Sequence, residues 1–213
     1  MTALGPAANL PPHMLLEPVL SRLLSTIALV LGLTVAGCDT AGERQAQESR
    51  AADAATPGEV DRSRAGEMIP QVSLSGPSGR VANLGTLTGT PVLLNLWATW
   101  CAPCVKEMPQ LDTLAGRGGG LRVIAASQDV QGAAVVERFF ERTGVRHLEP
   151  WLDPQNALME ALEIETLPVT ILYDADGREV WRMTGAFDWA GDEAAELIAE
   201  GSAGPTAGGR ATR

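Results

Sequence analysis

The chain has 213 residues, with 26 acidic against 16 basic side chains, a formal net charge of −10 and 45% hydrophobic residues. An acidic surface repels phosphate backbones, which sets nucleic acid aside as a partner and leaves the charge a general solubility role. Three cysteines and two histidines are a thin supply for a structural metal site.

From the N-terminus, residues 1–38 read as a lipoprotein-type signal or anchor. The uncharged run 23–37 follows Arg22 and stops at Cys38; it is short for a spanning helix, which needs about 20 residues, and fits the apolar region of an export signal. Val35-Ala36-Gly37-Cys38 resembles a bacterial lipobox, which implies lipidation of Cys38; the alternative is an uncleaved anchor helix. Either reading exports the domain and tethers it to the inner membrane, facing the periplasm, and Asp39 matches the enterobacterial signal for inner-membrane retention. The long stretch before Arg22 leaves Met1 and Met14 as rival starts. Residues 39–66, rich in Ala, Glu, Arg and Gln, cannot bury enough apolar surface to order themselves and read as a flexible tether. About 135 residues, 67–200, remain for one domain, and the Gly/Ala-rich tail 201–213 reads as disordered.

Within the domain, 71–74 and 80–82 flank the turn-rich Ser75-Gly-Pro-Ser-Gly79 and predict a hairpin. Pro91–Trp97 and Leu121–Ala126 are the near-continuous apolar runs of strands covered on both faces. Between them Trp100-Cys101-Ala-Pro-Cys104 opens a helix over 105–117, which Pro109 should kink. Val135, Val136, Phe139 and Phe140 give helical spacing over 133–142, and Asp153-Pro154 opens a helix over 155–162. Val169–Tyr173 and Glu179–Met183 flank the turn Asp174-Ala-Asp-Gly177, and Trp189–Glu200 reads as a closing helix.

A Cys-x-x-Cys pair between a strand and a helix carries redox chemistry. The first sulfur sits over the helix N-terminus, where unpaired amides favour a thiolate, so Cys101 is the attacking nucleophile. Cys104 can fold back under it, closing a disulfide or reopening as a dithiol. The competing structural zinc site lacks ligands: neither His13 nor His147 is suitably spaced. No metal and no cofactor are called for. Glu107, three residues past Cys104, shares its helix face, where a carboxylate disfavours a thiolate; otherwise it is a solvated side chain. Asn95 cannot ionise, which leaves Glu107 as the candidate proton carrier. Pro168, just before a strand, is a candidate cis peptide.

Asn95-Leu-Trp-Ala-Thr-Trp-Cys-Ala-Pro-Cys-Val-Lys-Glu-Met-Pro109, followed by Leu167-Pro-Val-Thr170, resembles the thioredoxin superfamily and, within it, the TlpA/ResA-like membrane-anchored reductases. The resemblance covers about residues 67–200 and includes a weaker motif, Gly185 with Asp188-Trp189-Ala-Gly-Asp-Glu193, similar to the end of TlpA. It implies an α/β thioredoxin-like fold, a central mixed β-sheet flanked by helices with an N-terminal β-hairpin extension. It also implies that Cys101 attacks, that Cys104 resolves the redox disulfide, that Pro168 is cis beside the thiols, and that Glu107 sets their protonation. Trp100 and Leu167 are the expected substrate contacts, although the Trp100 ring could equally pack beside the disulfide.

The resulting expectation is a periplasm-facing, membrane-tethered protein-disulfide reductase that keeps cysteines of cytochrome oxidase assembly proteins reduced. Its implied clients are the copper-site subunit and a Sco-type chaperone, and its implied electron donor is a membrane protein of the CcdA/DsbD type. Two alternatives stand beside it: a CcmG-like reductant of apocytochrome c, and a metallochaperone holding Cu(I) at Cys101 and Cys104. Sco-like chaperones carry three residues between the cysteines and a downstream histidine ligand, a pattern this chain lacks. The peroxidatic Pro-x-x-x-Thr-x-x-Cys pattern is also missing.

Overall fold

A computed structural model describes residues 58–202. The signal or anchor segment with Cys38, most of the tether and nearly all of the tail lie outside the described residues. The elements are β1 (Glu59–Asp61), β2 (Ser73–Ser75), β3 (Val81–Asn83), β4 (Val92–Trp97), α1 (Ala102–Gly116), β5 (Arg122–Ser127), α2 (Ala133–Thr143), β6 (Trp151–Leu152), α3 (Ala157–Ala161), β7 (Val169–Tyr173), β8 (Glu179–Thr184) and α4 (Asp192–Ala199). The strands form one mixed sheet in the order β1-β8-β7-β4-β5-β6-β2-β3. β4, β5 and β6 run parallel, and the other pairings are antiparallel. This is the thioredoxin-like α/β fold, and the hairpin extension β2–β3 lengthens the sheet beyond β6.

β4 is buried along its whole length, as its unbroken apolar run predicts for a strand covered on both faces. Leu93 and Trp97 point to the layer of α1, α2 and α4, among Met108, Leu111, Phe139, Phe140, Trp189 and Leu197. Val92, Leu94 and Leu96 point to the opposite core, with Leu158 from α3 and Leu74 and Leu84 from the hairpin region. Trp97 anchors the first layer: its ring stacks on Phe140 at 5.8 Å and meets Phe139 at 5.1 Å. Pro109 lies inside α1, and the helix runs on through it as one element.

Three features differ from the sequence reading. The tether was expected to reach residue 66, but Val60 lies in β1, which pairs along the edge of β8, and the Gly66 amide donates to the Glu179 carbonyl. Backbone pairing to a distant edge orders a segment that hydrophobicity alone cannot. β6 is a two-residue strand between Glu149 and Asp153, too short for a periodicity signal. α4 starts at Asp192 rather than Trp189, because 185–190 form a loop that docks on α1.

The far half of α1 is fixed by Asp112. Its Oδ1 accepts from the backbone N–H groups of Arg146, His147 and Leu148 at 3.0, 2.6 and 2.9 Å. Gly116 lets the same connector come close, since a Cβ there would sit 2.7 Å from the His147 ring. Asp112→Ala should therefore cost about 2–3 kcal/mol, because three donors lose their acceptor at once. Chemical denaturation checks this; a loss below about 0.5 kcal/mol would mean that water takes over the three amides.

Candidate active site

The redox pair sits where β4 ends and α1 begins. Cys101 is the N-cap of α1 in extended conformation, and the Cys104 amide donates to its sulfur at 3.3 Å. The two cysteines are joined as a disulfide with their Cα atoms 5.3 Å apart. Cys104 is fully buried, while Cys101 keeps a small exposed surface, so only one sulfur can be approached from outside. Such a pair stores and releases two electrons by exchange with another disulfide.

Pro168 reaches the same place through the sheet. Val169 pairs with Leu96 across β4 and β7, so the residue before it lies beside the chain leaving β4. The Leu167–Pro168 peptide is cis, and the Pro168 carbonyl accepts from the Gly185 amide at 2.9 Å. Leu167 is half-buried and touches both cores.

Glu107 is 3% exposed, which removes the solvated-face alternative. Its Oε1 accepts from the Phe187 backbone N–H at 2.8 Å and from the Trp189 indole N–H at 3.0 Å, while Oε2 is buried with no protein partner. Burial raises the carboxyl from 4.5 to about 7, against the opposing pull of those two donors. The group therefore stands half protonated near neutral pH. Asn95 is also fully buried and donates to Thr170 Oγ1 at 3.0 Å, an amide in a strand position beneath the pair.

Trp100 is 68% exposed, at the surface immediately before the redox pair. Two features of the site escaped sequence reasoning. Gln110, three residues past Glu107 on α1, accepts from the Trp189 amide at 3.0 Å and donates to Asp188 at 2.9 Å, completing the dock of the 185–190 loop. Its i+3 spacing from Glu107 was the available signal. Asp129, 2% exposed, accepts from the Thr99 amide and hydroxyl at 2.9 and 2.7 Å and from the Ser127 hydroxyl at 2.7 Å. It fixes the loop that carries the redox pair, and no sequence pattern announces that contact.

Comparison with known proteins agrees with this geometry. The Redoxin family matches residues 64–198. A thiol-disulfide oxidoreductase ResA from Halalkalibacterium halodurans is 35% identical over 130 residues, covering 59% of this chain and 73% of the relative. The ResA of Geobacillus thermodenitrificans is 33% identical over 122 residues, covering 56% and 69%. Among solved structures, a putative thiol:disulfide interchange protein DsbE from Chlorobium tepidum superposes with a TM-score of 0.56 at 26% identity, over 64% of this chain and 97% of that one.

Proposed function

The chain belongs to the Redoxin family of the thioredoxin superfamily and is a thiol-disulfide oxidoreductase; on that premise we propose that it works as a reductase of protein disulfides. In the proposed cycle the Cys101 thiolate attacks a client disulfide, forming a Cys101–client bond and releasing one client thiolate, which takes up a proton. Cys104 then gives up its proton and attacks the Cys101 sulfur. The second client thiol leaves, and Cys101–Cys104 closes as the disulfide. Two electrons have passed from the pair to the client, and an external dithiol must return them.

The observation that carries the direction is the buried carboxyl of Glu107 on the Cys104 face of α1. As a carboxylate it opposes negative charge on sulfur; as an acid it can hand over the proton that a leaving thiolate needs. Strong oxidants do the reverse and stabilise the thiolate. Equilibration with a glutathione or dithiothreitol redox buffer is expected to give a potential below about −200 mV, whereas a value near −120 mV, roughly that of DsbA-type oxidants, would overturn the reductase reading.

The apolar run 23–37 and Cys38 support tethering to the inner membrane with the domain in the periplasm, where a CcdA/DsbD-type membrane protein would supply electrons. The resemblance of 185–193 to TlpA favours oxidase-assembly clients, the copper-site subunit and a Sco-type chaperone. Loss of the protein should then lower terminal oxidase activity more than covalent haem in c-type cytochromes; the opposite pattern would favour apocytochrome c.

A further inference from the structure

The segment between α3 and β7, which ends in Leu167-Pro168, is held at its start by charge. Leu162 caps the C-terminus of the short helix α3, and Glu163 turns the backbone into the left-handed region at φ 55°. Residues 163–166 then line a cavity of about 240 Å³ together with Val169, Arg182 and Thr184 of β7 and β8, so packing under the segment is incomplete. What fixes its start is a pair of guanidinium groups: the Leu162 carbonyl accepts from Arg64 Nη1 at 2.9 Å and from Arg182 Nη1 at 3.1 Å. Such charge-assisted bonds are stronger than neutral ones. Arg182 belongs to β8 and is itself gripped by both oxygens of Glu179 at 2.7 Å. Arg64 comes from the segment that follows β1, which is fastened to β8 where the Gly66 amide donates to the Glu179 carbonyl and the Glu67 carbonyl accepts from the Glu179 amide. Its side chain, 26% exposed, also meets Glu67 at 2.9 Å and Glu163 at 3.2 Å.

We infer that Arg64 is a positioning residue for exchange with extended clients: by holding the Leu162 carbonyl and the Glu163 carboxylate together, it sets where Leu167 stands against the redox pair. This deepens the reductase reading and rests on it. The segment has two fixed ends. At one, the Pro168 carbonyl accepts from the Gly185 amide and Val169 enters the sheet between Leu96 and Thr184; at the other, the two guanidinium groups hold Leu162. Leu167 lies between them and packs against the apolar cluster that contains Cys101 and Cys104. A misplacement of about 1 Å can cost on the order of a hundredfold in rate, so releasing one of the two donors should cost less, about tenfold. The loss should fall on a disulfide that presents a length of chain to Leu167 and spare one that meets only the sulfurs. A change in thiolate reactivity would instead move both together.

The test uses the full-length reduced protein and two oxidants: a synthetic peptide closed by one disulfide and extended on both sides of it, and oxidised glutathione. Second-order rate constants of exchange are compared. Arg64→Gln should lower the peptide rate about tenfold and leave the glutathione rate within about twofold of wild type. Arg64→Lys, whose ammonium can still donate to the Leu162 carbonyl but lacks the planar fork, should give a peptide rate between the two. Arg62→Gln, on the same segment but paired with Glu200 at 2.7 Å, should leave both rates at the wild-type value. An unchanged peptide rate in Arg64→Gln overturns the positioning role. So does an equal fall in both rates, which would assign Arg64 to the electrostatics or general stability of the domain. An equal loss in Arg62→Gln overturns it as well, because attachment of the segment rather than the grip on Leu162 would then be what matters. If the wild type reduces both disulfides and Arg64→Gln behaves like it, the positioning role fails and the exchange chemistry stands. If the wild type reduces neither, the reductase reading falls.

Discussion

A Cys104→Ser variant is expected to accumulate client proteins as mixed disulfides on Cys101, and a Cys101→Ser variant to trap none. The asymmetry comes from burial. Cys104 is fully enclosed in the first turn of α1, so a client disulfide several ångströms across cannot reach it, while Cys101, the N-cap, keeps a small exposed surface. Chemistry adds to access, because the Cys104 amide at the first turn of α1 already points at the Cys101 sulfur and favours its thiolate. Without Cys104 the first exchange proceeds and the second cannot, so the adduct persists; without Cys101 turnover should fall to background. Non-reducing electrophoresis of affinity-captured protein reads both outcomes. Equal trapping by the two variants would mean that Cys104 becomes accessible in solution and that the roles are misassigned.

How much of this was legible beforehand depended on the range of the interaction. β4, β5 and β7 were readable because a strand buried on both faces must be apolar at nearly every position, and Val92–Trp97 and Val169–Tyr173 are. The redox pair was readable because its two sulfurs and the helix that activates one of them are contiguous. β1 was not, since Glu59 and Asp61 flank a single valine and the strand exists only by pairing with β8, more than a hundred residues away. The environment of Glu107 was half legible: its helix spacing from Cys104 is local, but the groups that enclose it, Phe187 and Trp189, arrive from 80 and 82 residues downstream. The Asp129 clasp was wholly illegible, because an aspartate after a strand is ordinarily a turn residue and its partner Thr99 lies on another loop.

Glu107→Gln should separate the electrostatic part of the site from its scaffold. The amide keeps an oxygen that can accept from the Phe187 and Trp189 N–H groups, so the 185–190 loop should stay docked. Gln is also a close mimic of the protonated carboxyl, which fixes the sign of the stability change. In the folded protein the Glu107 pKa is raised from 4.5 to about 7. Its stabilising contribution is therefore complete below about pH 4.5 and is lost as pH rises to about 7, because the folded state there holds a proton that the unfolded state has released. The gap between the two values is worth roughly 3 kcal/mol for so deeply buried a group. The stability of the oxidised variant should thus match the wild type near pH 4 and exceed it by about that amount at pH 8 to 9. In the reduced protein the same substitution removes negative charge beside the sulfurs, so the alkylation-rate profile of Cys101 should move to lower pH. Exchange with a protein disulfide should nonetheless slow, since an amide cannot carry the proton that the leaving thiol requires. Coincident pH–stability curves for variant and wild type would show that Glu107 does not titrate in this range. An unmoved alkylation profile would show that its charge does not reach the sulfurs.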